Sequence, residues 1–112
     1  MKIIDVKNAE LNPNPHNVKT SLIYNTHHAM VVHLILEPGE HLKKHITPVD
    51  VFFYVLEGNP EIEIEKERKV VKPDHLVESP AGIPHCIYNP GNKRARVMVV
   101  KTPRPSKPTK IL

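Results

Sequence analysis

The sequence predicts an all-β domain, an antiparallel sandwich or barrel. Short apolar runs recur at near-regular intervals with turn signals between them. Twelve prolines against four glycines leave few uninterrupted helical periods. No heptads and no repeat of fixed period compete with that reading. At 112 residues the chain fits one compact domain, large enough for a real core and too short for two.

Taken in order, Met1 to Glu10 carries Ile3, Ile4 and Val6 and reads as a short strand or arm that must pack on something already formed, a second subunit included. Asn12 to Asn17, with Pro13 and Pro15, is a loop. Thr20 to Asn25 is a short strand. Ala29 to Glu37 (AMVVHLILE) is a strong one, apolar enough for a barrel wall, and Pro38-Gly39 ends it. From Glu40 to Thr47 the alternation places His41, Lys43, His45 and Thr47 on one face and Leu42, Lys44 and Ile46 on the other. Pro48, with no N–H to donate, breaks that ladder.

Val51 to Leu56 is an apolar, β-branched and aromatic strand closed by the turn Glu57-Gly58-Asn59-Pro60. Glu61 to Glu65 alternates strictly, which sends Ile62 and Ile64 to the core and the glutamates to water. Lys66 to Arg68 is a charged hairpin and Lys69 to Val71 the returning strand. Pro73-Asp74 marks a turn, His75 to Glu78 a short strand, and Ser79 to Asn89 (SPAGIPHCIYN) a turn followed by the brief strand Cys86 to Tyr88. Asn89-Pro90-Gly91-Asn92 is another turn. Ala95 to Lys101 returns as a buried strand, and the remainder, with Pro103, Pro105 and Pro108, reads as an extended tail. The expected division is an arm and loop at 1–19, a barrel at 20–101 and a basic tail at 102–112.

Composition narrows the function classes. The single cysteine, Cys86, excludes an internal disulfide framework. No charged-then-apolar leader and no bilayer-length apolar run is visible, so a cytoplasmic protein without a membrane partner is expected. The formal charge of +4 is matched by Lys101, Arg104, Lys107 and Lys110, which stand near the C-terminus with no acid among them. The body is then near neutral, and with few aromatics for base stacking a nucleic-acid partner using the tail ranks last.

The histidines carry the chemistry. His45 and His85 lie in separate Pro/Gly-flanked stretches, and two neutral imidazoles from separate strands can hold Zn²⁺, Fe²⁺, Mn²⁺ or Ni²⁺, although a stable site usually has at least three protein ligands. His41 is one substitute third ligand, but two strand steps separate it from His45 by about 13 Å if the strand stays extended. Asp50 is another, if a bulge at Pro48-Val49 turns it inward. The opposing readings are pocket histidines bonded to each other, to Thr47 or to water, with His41 a wall residue and Asp50 a turn residue. His27 and His28 read as exposed, and His33 as a satisfied core histidine. Cys86, next to His85 on a strand, faces away from it as a small buried hydrophobe.

The stretches PGEHLKKHITPVDVFFYVLEG (38–58) and SPAGIPHCIYN (79–89) resemble the two motifs of the cupin superfamily. Gly39, His45 and Gly58 match the first; Pro80, Gly82, His85 and Asn89 match the second, with Asp74 where a glycine usually stands. The resemblance covers roughly residues 30 to 101 and implies a double-stranded β-helix, the jelly-roll barrel, in which two histidines and a glutamate of the first motif and a histidine of the second ligate a divalent metal. His45 and His85 correspond to the first and last of these, whereas Thr47 and Val51 stand where the second histidine and the glutamate would be.

The expectation is a small cupin, a homodimer, with a divalent-metal site at His45 and His85, Thr47, Val51 and Phe53 lining the pocket, and no organic cofactor. The reaction is unassigned, with metal-dependent isomerase, oxygenase and decarboxylase chemistry all open. The alternative is a metal-free module that binds or senses a small organic molecule, which the departures at Thr47 and Val51 favour.

Overall fold

The computed structural model describes residues 1–112 and contains ten strands: β1 (Lys19–Asn25), β2 (Met30–Leu36), β3 (His45–Ile46), β4 (Asp50–Glu57), β5 (Glu61–Ile64), β6 (Glu67–Val70), β7 (Leu76–Ser79), β8 (His85–Tyr88), β9 (Ala95–Thr102) and β10 (Lys110–Ile111). They form two five-stranded sheets, β1-β2-β9-β4-β7 and β10-β3-β8-β5-β6, and every pairing is antiparallel. This is the jelly-roll barrel expected from the motifs. No helix is long and apolar enough to cross a membrane.

The core lies between the sheets, filled by the inward-facing residues of the long strands. Leu34 and Leu36 from β2, Val51, Phe53 and Val55 from β4 and Val97 from β9 meet Ile62 and Ile87 of the second sheet. In β9 the inward set is Ala95, Val97 and Val99, and the same parity carries Lys101 inward. β9 is interior, so Lys101 is flanked by Met30 on one side and Val51 on the other.

The turns use the residues their backbones demand. Gly58 closes β4 at φ +82°, and a Cβ there would lie 2.6 Å from the Arg94 carbonyl oxygen. Asp74, standing where the motif usually has glycine, has φ +65°, a left-handed conformation that aspartate tolerates better than most residues. Its carboxylate accepts from the Tyr54 hydroxyl at 2.8 Å and its N–H bonds the Val55 carbonyl.

Two segments depart from expectation, and a third takes one of its two expected forms. Of the strand or arm expected at the N-terminus, the first ten residues are an arm: a single turn of 3₁₀ helix spans Val6–Asn8, Ile3 stays exposed, and the attachment to β1 runs through Ala9, whose carbonyl accepts from the Ser21 hydroxyl. The expected alternation from Glu40 to Thr47 holds only from His45 onward. Leu42 turns into the core, its N–H on the Ile87 carbonyl, while His41 bridges to Tyr88, so the segment before His45 is not a regular strand and its parity is broken. The C-terminal tail is not simply extended: Lys110 and Ile111 pair with Ile46 and His45 as an edge strand, where prolines upstream do no damage.

Candidate functional site

His45 and His85 face each other across the β3–β8 ladder as direct register partners. In an antiparallel pair, residues directly opposite share a face and place their Cβ atoms about 5 Å apart. The two rings therefore meet although their residues lie forty positions apart: Nε2 to Nε2 is 3.0 Å, with the ring planes at 81°. Both side chains are buried, at 7% and 2% exposure. Phe53 from the opposite sheet meets His85 edge-on at 5.2 Å.

The proton positions follow from the partners. His45 Nδ1 lies 2.6 Å from the Lys43 carbonyl, which only accepts, so Nδ1 carries hydrogen and Nε2 of the neutral ring is an acceptor. His85 Nε2 then donates to it, with Thr47 Oγ1 at 3.3 Å as a weaker second acceptor. His85 Nδ1 is left as an acceptor, and the buried Ser79 hydroxyl donates to it at 2.7 Å. The result is a relay running Ser79, His85, His45, Lys43 carbonyl. Burial is the main cause that holds both imidazoles neutral: it pushes His85 down to about 3, with smaller contributions from His45 and Lys101, and it lowers His45 as well.

Two further residues complete the cavity, and neither is among the sequence-based candidates. His16 comes from the loop before β1 and lies against His45 with ring centroids 4.7 Å apart. Its Nδ1 accepts the Lys43 N–H at 2.8 Å, so the neutral ring carries its hydrogen on Nε2. Burial, then the neighbouring His45, lowers its pKa to about 4. The loop is shaped by Asn14, whose amide donates to the Val18 carbonyl and whose side-chain oxygen accepts from the His16 N–H. Lys101 is the other, its pKa lowered by burial. With Thr47, Val51 and Phe53, as expected from sequence, and with Leu34, Leu42 and Val99, these side chains enclose about 80 Å³. That space opens into a vestibule of about 610 Å³ walled by Asn12 to His16, Met30, Val32 and the tail residues Pro108 and Thr109.

The other sequence candidates lie elsewhere. His41 sits on the Tyr88 ring, centroids 5.8 Å apart, with Nδ1 donating to the Leu42 carbonyl. Asp50 is exposed and caps the 79–85 turn by accepting from the Ala81 N–H at 2.9 Å, so no bulge carries it inward. His33 is buried and satisfied, accepting from Arg96 Nε at 3.1 Å, but by strand alternation it faces away from the core that Leu34 enters. Cys86 is buried with its thiol on the Leu42 carbonyl, and burial raises its pKa. His27 and His28 are exposed.

For a metal ion the donor set is short. The two Nε2 atoms converge, but in the assigned tautomers only His45 Nε2 offers a lone pair; His85 would have to move its hydrogen to Nδ1, with the Ser79 hydroxyl turning to accept it, before its Nε2 could ligate. His16 already spends its Nδ1 lone pair on Lys43, and a neutral ring has no second one for an ion. No group of three or more His, Cys, Asp or Glu side chains is placed to hold a metal, and the lysine beside the rings is a cation. The residues present fall short of the three protein ligands that a stable site generally uses.

Comparisons with known proteins agree with this architecture. Polyketide synthase CurC from Streptomyces cyaneus is 30% identical over 76 residues, 67% of this chain and 49% of that protein, so the chain spans about half the length of this relative. TT1209 from Thermus thermophilus superposes with a TM-score of 0.81 at 28% identity, covering 94% of this chain and all of that one. The polyketide cyclase RemF from Streptomyces resistomycificus, at 16% identity, has the same fold, with a TM-score of 0.85 over 100% of this chain and 85% of its own. The family model for the cupin domain matches residues 32–101, and the chain belongs to that family.

Proposed function

We propose that this cupin is a small-molecule-binding protein whose barrel cavity works without a resident metal, through a neutral imidazole dyad. The observation that carries this reading is the direct 3.0 Å bond between His45 and His85, in a cavity whose other polar side chains are Thr20, Thr47, His16 and Lys101. Every member of the relay is satisfied internally, so the rings are held in place before a ligand arrives. The vestibule has the volume of an ordinary small-molecule pocket, and its walls carry both polar and apolar groups. A ligand reaching the rings meets the donors His16 and Lys101 together with the apolar side chains Val51, Phe53 and Leu34. Likeness to proteins named as polyketide synthase and polyketide cyclase is consistent with an organic ligand bearing carbonyl oxygens.

A second reading has one specific observation in its favour, the convergence of the two Nε2 atoms with both Nδ1 atoms anchored. In it His45 and His85 hold a divalent ion that acts as a Lewis acid on a bound oxygen, the rest of its coordination coming from water or ligand. Elemental analysis of protein prepared without an affinity tag separates the two. We expect metal well below one equivalent, unchanged by His45→Ala. One equivalent in the native protein, lost in that variant, would overturn the metal-free reading.

A further inference from the structure

Lys101 has no partner. It forms none of the six ion pairs of the molecule and no side-chain hydrogen bond, although it lies on an interior strand and points into the cavity. The walls of the cavity and of the vestibule contain no aspartate or glutamate at all. Lys101 is half-buried and its ammonium reaches only the solvent of the vestibule; losing part of its hydration without a counter-charge is unfavourable, and the usual remedies are a carboxylate partner or loss of the proton. Here the chain supplies no carboxylate, and the vestibule keeps the site open to solutes.

The neighbouring groups point to the same kind of ligand. His16 accepts from Lys43 through Nδ1, which makes its Nε2 a donor, and His16 and Lys101 line both the cavity and the vestibule mouth. Two donors from separate elements, one of them charged, match an acceptor with two oxygens. The space beside the rings, about 80 Å³, leaves room for only the few remaining atoms of a small ligand. A phosphate dianion would ask for more donors than the site offers.

We infer that Lys101 and His16 form the grip for a small carboxylate, which is held at the barrel mouth with its remaining atoms directed toward the His45–His85 dyad. This rests on the pocket reading above and names its ligand class. It also gives Lys101 a binding role apart from the four-residue basic run in which it stands.

The test is a titration of the full-length chain followed through the histidine side-chain NMR resonances at pH 7 and constant ionic strength, using acetate, pyruvate, inorganic phosphate and the uncharged acetamide. We expect saturable shifts at His16, His45 and His85 with acetate or pyruvate, and binding at least tenfold weaker with acetamide and with phosphate. Lys101→Met and the polar Lys101→Gln should each weaken carboxylate binding at least tenfold, with His45 and His85 resonances in the free protein showing the dyad intact. If one variant does not fold, the other decides. No saturable shift with either carboxylate, equal affinity for acetamide, tighter binding of phosphate, or unchanged affinity in the folded lysine variant would overturn the inference. Elemental analysis tests the metal-free pocket separately, so an acetamide-tolerant, metal-free protein would sink the carboxylate assignment and leave the pocket reading standing.

Discussion

His85 is the residue on which most of the site's physics converges. It is 2% exposed, accepts a hydrogen bond from Ser79, donates one to His45, and packs edge-on against Phe53. Burial holds its folded-state pKa at about 3, below the ordinary 6.5. Between those two values the unfolded chain binds a proton that the folded chain refuses, so stability rises with pH across that window. His85's contribution is fully present above about pH 6.5 and is lost as pH falls toward 3, on the order of a few kcal/mol in all. Urea midpoints measured at pH 7.5, 5.5 and 4.5 should therefore fall more steeply for the native protein than for His85→Gln. Equal slopes would show that the imidazole is not buried neutral.

At the scale of elements, the turns place the histidines. Gly58 ends β4 against the Arg94 carbonyl, and a side chain there meets both a positive φ and a backbone atom 2.6 Å away. Gly58→Ala should cost roughly 1–3 kcal/mol, read as a lowered denaturation midpoint with an unchanged urea m-value. A neutral substitution would mean that the turn relaxes freely. The first motif's glycines and His45, and the second motif's Gly82, His85 and Asn89, were legible because turn geometry and strand alternation are local. Asn89 bears this out, its side-chain amide donating to the carbonyls of Leu36 and Lys93 and so tying the turn after β8 to the end of β2 and to the approach to β9. His41 was misplaced for the complementary reason. Alternation predicts a face only while the backbone stays paired, and before His45 the chain turns to bury Leu42 instead.

On the scale of the whole molecule, β1 is an edge of its sheet and carries exposed Leu22 and Tyr24 beside Ile4 of the N-terminal arm, with a shallow pocket of about 390 Å³ among them. Apolar groups collected along an unpaired edge are disfavoured in water and favour a second copy. Light scattering at micromolar concentration should give a homodimer, and Leu22→Asp with Tyr24→Asp should give a folded monomer. A monomeric native protein would remove this prediction and leave the cavity arguments untouched.

By itself the sequence determined the all-β class and most strand positions, since these follow from period-two alternation and from Pro/Gly turns acting over a few residues; the meeting of His45 with His85 was expected from the resemblance of their two stretches to the cupin motifs. The inward parity of Lys101 was also there to be read, in the run Ala95, Val97, Val99, Lys101, but its neighbours in the tail disguised it as one more solvated charge. Only the tertiary structure decided that the 12–17 loop folds back to lay His16 on His45, and that the C-terminal residues return to pair with β3 and wall the vestibule. Those contacts join segments with no local pattern in common. They are decided by which surfaces the closed barrel leaves uncovered, which no window of sequence contains.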